Sequence, residues 1–413
     1  MGTLHGEGGV SLSQMHYQRA SAAKTQAEGP LLLSPLIKAG KIDEALKRSR
    51  VWLFEEACGV GGAYSGYITI NETCGTSLFF LHVKAQENSA NLPLVLWLEG
   101  GPGQSSLLGE LFSSGPVGIS RNGSLYKREH NIASFSNVIY LDEPVGAGFS
   151  FTQNENGYAK SFEDIADNIH DFLRQFLLLF PEYRGRQFYP AGDSYGARPA
   201  VATGIKFHKD RNLPGAVQLN FCGVICGVPF IAPLENLLDS TEFLYHIGLL
   251  DQKGRELFGD VFTRLRAAFD NRDPIAVADI IQKDLWVSPN LSSQTLFTRL
   301  TGYQYDGNAL QPVMPPEKTH YDTLMKNREF KEAIHVGANA EFRKHDTTIL
   351  ANLAFDFFRD ISPEIIKLLD NYKVLVYVGG LDIVIPAANA ETFLWLSLHL
   401  LTFDENLPRA RVF

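Results

Sequence analysis

Long apolar runs, basic residues in excess and cysteine are what this chain of 413 residues has least of. No uninterrupted hydrophobic stretch reaches the roughly 18 residues of a membrane span. The richest, TFLWLSLHLLTF at 392–403, stops at twelve and reads as a buried helix. The formal charge of −9 argues against nucleic-acid binding, which needs a basic surface. Cysteines number four. Cys222 and Cys226 lie in FCGVICGV, which reads as a buried strand, where positions four apart face the same way too far apart for a disulfide. They are expected to be small buried hydrophobes. Cys58 and Cys74 flank a short segment and can pair only in an oxidising compartment. The N-terminus lacks a basic segment followed by an apolar one, so no signal peptide is visible, and residues 1–29 read as a disordered leader. Internal repeats, metal-ligand clusters, phosphate loops and dinucleotide fingerprints are also missing, so no cofactor is implied.

What is there describes a globular protein with a sizeable core: 45% of residues are hydrophobic and 11% aromatic. SGYITI and SLFFLHV are short strand-like runs joined by NETCGT, a hairpin signal. LPLVLWLEGGPGQSS is a continuous apolar run ending in a glycine-proline loop, as a buried parallel strand ends, and SNVIYLDEPVGAGFSF repeats that grammar. The clearest helix is SFEDIADNIHDFLRQFLLLF, with Ser161 and Asp164 at capping-box spacing and Pro181 closing it. RQFYPAG is then a strand, Ser194 a turn and ARPAVATGIKFHK a helix. This order predicts an α/β protein with a mostly parallel central sheet and helices on both faces. Residues 30–231 form the first part of that core. The segment 232–330 changes to helical and irregular sequence and reads as a cap insertion, and 331–413 complete the core, with YKVLVYVGGLDIVIP as a late strand.

Gly192-x-Ser194-x-Gly196 fits a nucleophile elbow, in which small neighbours let a strained serine project from the sheet. Such a hydrolase also needs backbone N–H groups for a developing oxyanion, an acid after a late strand and a histidine beyond that acid. EGGPGQSS at 99–106 offers the first, and Asp382 the second. With LVLWLEGGPGQSS, IYLDEPVGAGFSFT, EFLYHIGLLD, EAIHVG and NYKVLVYVGGLDIVIPAA, the chain resembles the serine carboxypeptidases from about residue 30 to about 402. It is most like their vitellogenic carboxypeptidase-like branch. The resemblance implies an α/β-hydrolase fold and an enzyme removing C-terminal residues from peptides or proteins through an acyl-enzyme. It assigns Ser194 as nucleophile, Asp382 as the acid orienting the histidine, the N–H groups of Gly101 and Tyr195 as the oxyanion hole, and Glu99, Gly100 and Asp193 as the grip on the substrate's terminal carboxylate. It also implies a secreted, lysosomal or vacuolar glycoprotein, for which Asn71, Asn122 and Asn290 stand in acceptor sequons.

The chain departs from the family pattern in three places. The family's histidine follows the acid by several dozen residues in a Gly-His-x-x-Pro setting, whereas the sequence ends at Phe413 and the histidine after Asp382 is His399, in LSLHLLTF. Both ends are therefore expected to be incomplete. The family usually has an amide where Glu99 stands, and its second paired acid falls at Ser113; Glu99 and Asp193 are expected to share a proton. Pro190 interrupts a strand expected to be central, where proline belongs only at edges or bulges. Two other functions fit these departures: a non-catalytic binding protein, and an esterase or acyltransferase on the same scaffold.

Overall fold

A computed structural model describes residues 29–231, 234–285, 294–344 and 347–399. By contacts the chain divides into two compact units. The first comprises Met1–Pro229, Val313–Arg359 and Tyr372–Val376, the second Phe230–Pro312, Asp360–Asn371 and Tyr377–Phe413.

The first unit is built on eleven strands: β1 Arg50–Val51, β2 Ala63–Asn71, β3 Thr76–Val83, β4 Leu94–Leu98, β5 Val117–Ile119, β6 Leu125–Lys127, β7 Asn137–Leu141, β8 Gln187–Asp193, β9 Asn220–Phe221, β10 Gly223–Gly227 and β11 Lys373–Tyr377. β5 and β6 form a separate antiparallel ribbon. The other nine make one sheet in the order β1-β2-β3-β7-β4-β8-β10-β11, with β9 also paired to β8. The hairpin β2–β3 and the pair β3–β7 are antiparallel, whereas β7, β4, β8 and β10 run parallel. Those parallel strands are short apolar runs because helices cover both faces. α1, Phe162–Leu179, opens with the Ser161 hydroxyl accepting the Asp164 N–H, and it buries Ile165, Ile169, Phe172, Leu173 and Phe176 on one face. α2, Ala197–Asp210, follows the turn after β8.

Pro190 does lie in a central strand, opposite Leu96 of β4. On its other side, β9 pairs Phe188 with Phe221 and β10 pairs Ala191 with Ile225. Three residues, 222–224, thus face two, 189–190, which is a bulge in the neighbouring strand. The missing proline donor falls where the ladder is already interrupted. The expected single strand through FCGVICGV is correspondingly split at Cys222, which is half-buried, while Cys226 is fully buried. All four cysteines are free thiols; Cys58 donates its S–H to the Phe54 carbonyl, and burial pushes its thiol up to about 11.

The second unit is mainly helical. Its longest helix, Gln252–Asp270, is capped by the Asp251 carboxylate on the Gly254 N–H (2.6 Å). Helix Pro274–Ile280 starts with proline in the first turn and Asp273 as cap. Phe258 and Phe262 pack edge to face at 5.5 Å, and helix Ala387–His399 is tied in by Asn389, whose amide donates to the carbonyls of Leu237 and Asp239. No helix among the described residues is long and apolar enough to cross a membrane.

Candidate active site

β8 ends at Asp193, a 3₁₀ turn covers Ser194–Gly196, and α2 begins at Ala197. Ser194 sits at the apex with φ +55°, in the left-handed region that a β-carbon disfavours. Its neighbours make that conformation possible. A β-carbon on Gly192 would lie 2.0 Å from the Gly196 carbonyl oxygen, and one on Gly196 would lie 2.2 Å from that of Leu98. The turn is therefore pressed against itself and against the end of β4. Behind it, fully buried Tyr195 donates its hydroxyl to Asp356 Oδ2 (3.2 Å). Buried Arg198 lies 3.6 Å from the same oxygen and donates to the carbonyls of Asp356 (2.7 Å) and Arg359 (2.9 Å).

The glycine loop after β4 reaches this turn. A β-carbon on Gly100 would meet Ser194 Cβ at 2.7 Å and Ser194 Oγ at 3.2 Å, so the backbone of the loop lies directly against the serine side chain. Asp142, at the end of β7, holds the loop in place. Its Oδ1 accepts the Ser105 hydroxyl (2.7 Å) and the Ser106 N–H (2.8 Å), and its Oδ2 accepts the Phe149 N–H (2.8 Å). The Ser106 hydroxyl in turn donates to the Leu141 carbonyl and accepts the Glu99 N–H (3.1 Å).

Glu99 is buried, with Trp97 Nε1 donating to its Oε2 at 3.2 Å. Burial, reinforced by the Asp193 carboxylate, pushes its carboxyl up to about 8, so at neutral pH it keeps its proton. Two neighbouring acids cannot both be charged cheaply in such a place, and one proton between them removes the conflict.

The arrangement matches known proteins over nearly its whole length. Residues 59–400 fit the family model described as serine carboxypeptidase. The chain belongs to the serine carboxypeptidase family. Venom serine carboxypeptidase of Apis mellifera is 33% identical over 377 residues, covering 88% of this chain and 77% of its own. Vitellogenic carboxypeptidase of Aedes aegypti is 34% identical over 364 residues, 86% of this chain and 74% of its own. A solved structure, that of Kex1(Δ)p, a prohormone-processing carboxypeptidase from Saccharomyces cerevisiae, superposes with a TM-score of 0.62 at 18% identity, over 79% of this chain and 75% of that one. The likeness shows the α/β-hydrolase fold.

Within this carboxypeptidase scaffold, Ser194, Tyr195, Asp193, Glu99, Gly100 and Gly101 are gathered by the first unit around the ends of β4 and β8. Asp382 belongs to the second unit, five residues past the last residue of β11. There its Oδ1 accepts the N–H groups of Val384 (2.9 Å) and Ile385 (2.8 Å), a local turn that fixes the carboxylate. His399 closes its helix, and its side chain lies outside the described residues, as does Asn290. Asn71 and Asn122 are exposed at turns, each accepting a backbone N–H two or three residues on. Asp142 and Asp356 were not singled out from the sequence. Asp142 had a signal, an acid immediately after a buried strand in IYLDEP; Asp356, in the helical stretch AFDFF, had none.

Proposed function

We propose that Ser194 is the nucleophile of a carboxypeptidase that releases single residues from peptide C-termini. The observation that carries this reading is the strained serine at φ +55° with the glycine loop packed against its Oγ. In the reaction, Oγ bonds to the carbonyl carbon of the last peptide bond and its proton passes to a base. The carbonyl oxygen takes the negative charge, facing the N–H groups of Gly101 and Tyr195. Tyr195 stands one turn ahead of α2, whose N-terminal end favours negative charge. The C–N bond then breaks, the departing amine takes the proton, and water hydrolyses the ester. In the family the base is a histidine oriented by the acid at the Asp382 position.

Glu99, the Gly100 N–H and Asp193 are assigned to the substrate's terminal carboxylate. A protonated Glu99 is a hydrogen-bond donor to that group, as the family's amide would be. Because the Glu99 carboxyl stands at about 8, its donor is present below that pH and disappears above it. Glu99→Gln keeps the donor at every pH, so the decline in binding of peptide acids between pH ~6 and ~9 should flatten. An unchanged profile would refute the shared proton. The same family membership supports a secreted or lysosomal glycoprotein, with exposed Asn71 and Asn122 as acceptors.

A blocked dipeptide and its matching ester, incubated with the protein at acidic pH, test the reaction. Release of the C-terminal amino acid, and labelling of Ser194 by a fluorophosphonate that Ser194→Ala abolishes, are expected. Cleavage of the ester alone would move the assignment to an esterase. Binding of the dipeptide without cleavage or labelling would make the chain a binding protein.

A further inference from the structure

Lys318 breaks several local rules at once. It stands in the first turn of helix α3, Pro316–Leu324, where the helix dipole disfavours a cation. Its side chain is only 14% exposed, and its Nζ is fully buried without a hydrogen-bond partner. The nearest carboxylate oxygen, Asp322 Oδ1, is 3.6 Å away, and Asp322 is already engaged by Lys344 at 3.1 and 3.2 Å. The ammonium also lies over the face of the Tyr321 ring, 4.7 Å from its centroid. A buried cation held by one long, shared ion pair and an aromatic face is costly to keep. Such violations concentrate where function requires them.

What Lys318 faces supplies the reason. α3 packs on the turn Gly109–Ser113, next to the glycine loop, and the Lys318 ammonium favours the ionised form of Glu99 as the Glu99 carboxylate favours the charged amine. The carboxylate grip proposed above contains two acids, Glu99 and Asp193, and must admit a third carboxylate from the substrate. Even with Glu99 protonated, Asp193 and the incoming anion repel each other in a poorly screened site.

We propose that the Lys318 ammonium is the counter-charge of the Glu99–Asp193 grip, a positioning residue that makes the site select chain ends carrying a free carboxylate. The inference rests on the assignment of that grip to the substrate's terminus. Lys318 does not touch the substrate; it offsets the repulsion through the buried wall behind Glu99. Burial first, and then the Lys344 ammonium, bring the amine down to about 8 against the upward pull of Asp322 and Glu99. Below that pH the Glu99, Asp193 and Lys318 cluster is close to neutral. Above it, Glu99 and Lys318 both lose protons and the cluster turns negative, so affinity for peptide acids falls while affinity for peptide amides holds.

The test is calorimetric binding of N-acetyl-Phe-Leu and its C-terminal amide to the full chain carrying Ser194→Ala, which separates recognition from turnover. The acid is expected to bind about tenfold more tightly than the amide near pH 6. Adding Lys318→Met should bring that ratio close to one with amide affinity unchanged and little change in melting temperature, since Asp322 keeps its pair with Lys344. Lys318→Arg, which keeps the charge, should retain most of the preference. If the acid preference survives in Lys318→Met, or does not weaken as pH rises through about 8 in the chain with Lys318 intact, the counter-charge role is wrong and the grip stands. If neither ligand binds, the assignment of the grip itself falls, and this inference with it.

Discussion

The serine turn and the buried acid Glu99 lie side by side but answer to opposite kinds of force. Around Ser194, geometry is enforced by backbone packed on backbone: Gly192 against Gly196, Gly196 against Leu98, Gly100 against the serine. No charge takes part in those contacts, so they respond to volume and not to pH. Around Glu99, burial and the Asp193 carboxylate push the carboxyl toward its protonated form, and Trp97 donates to it. That region responds to protons and to charge, and tolerates changes in shape better. One turn is thus fixed by shape while the buried acid beside it answers to protons.

Breaking the first region should produce the largest effect. Gly196→Ala places a methyl 2.2 Å from the Leu98 oxygen, with only the Leu98–Glu99 backbone against it and no flexible side chain to yield. A loss of about 4 kcal/mol in denaturant unfolding, or failure to fold, is expected. Normal stability in this variant would mean the turn is far looser than the contacts require.

The second region, with the other buried acids, should show in the pH dependence of stability. Burial raises the carboxyls of Glu99 and Glu143 to about 8 and of Glu110 and Asp142 to about 7. In the unfolded chain they titrate near ~4, so between ~4 and ~8 the folded state holds more protons and stability falls as pH rises. Buried His82 and His170 work the other way. Burial lowers both to about 3, so stability is lost as pH falls below their unfolded value of ~6.5. Four raised acids outweigh two histidines above pH ~4, and below it only the histidines act. Thermal unfolding should therefore give its highest midpoint in the mildly acidic range and a lower one at pH ~8; a maximum above neutrality would contradict the burial of these carboxyls.

A smaller effect sharpens the contrast from within the serine turn. Ser194→Gly removes the β-carbon from a left-handed conformation and should stabilise the fold by about 1 kcal/mol while abolishing fluorophosphonate labelling. Equal or lower stability would show that the serine conformation stores no strain.

Much of the first unit was legible before any coordinates. Apolar runs ending in glycine loops marked β4, β7 and β8, and the Ser161 cap marked the start of α1. Pro190 was read as an anomaly because sequence shows a proline in a strand but not the bulge opposite it, which is a property of register between chain-distant segments. Glu99 was recognised as a departure because the motif around it is dense. Lys318 was passed over, since a lysine in PPEKTHYD reads as part of a solvated helix face.

By itself the sequence determined the strand-and-helix order, the glycine turn that strains Ser194 and membership of the serine carboxypeptidase family. Those features depend on hydrophobic period and on steric limits acting over a few neighbouring residues. Tertiary structure alone decided where charges lie: Asp142 beneath the glycine loop, Asp356 behind Tyr195, Lys318 over the Tyr321 ring. Electrostatic energies depend on distance and burial, and neither is encoded in the spacing of residues along the chain.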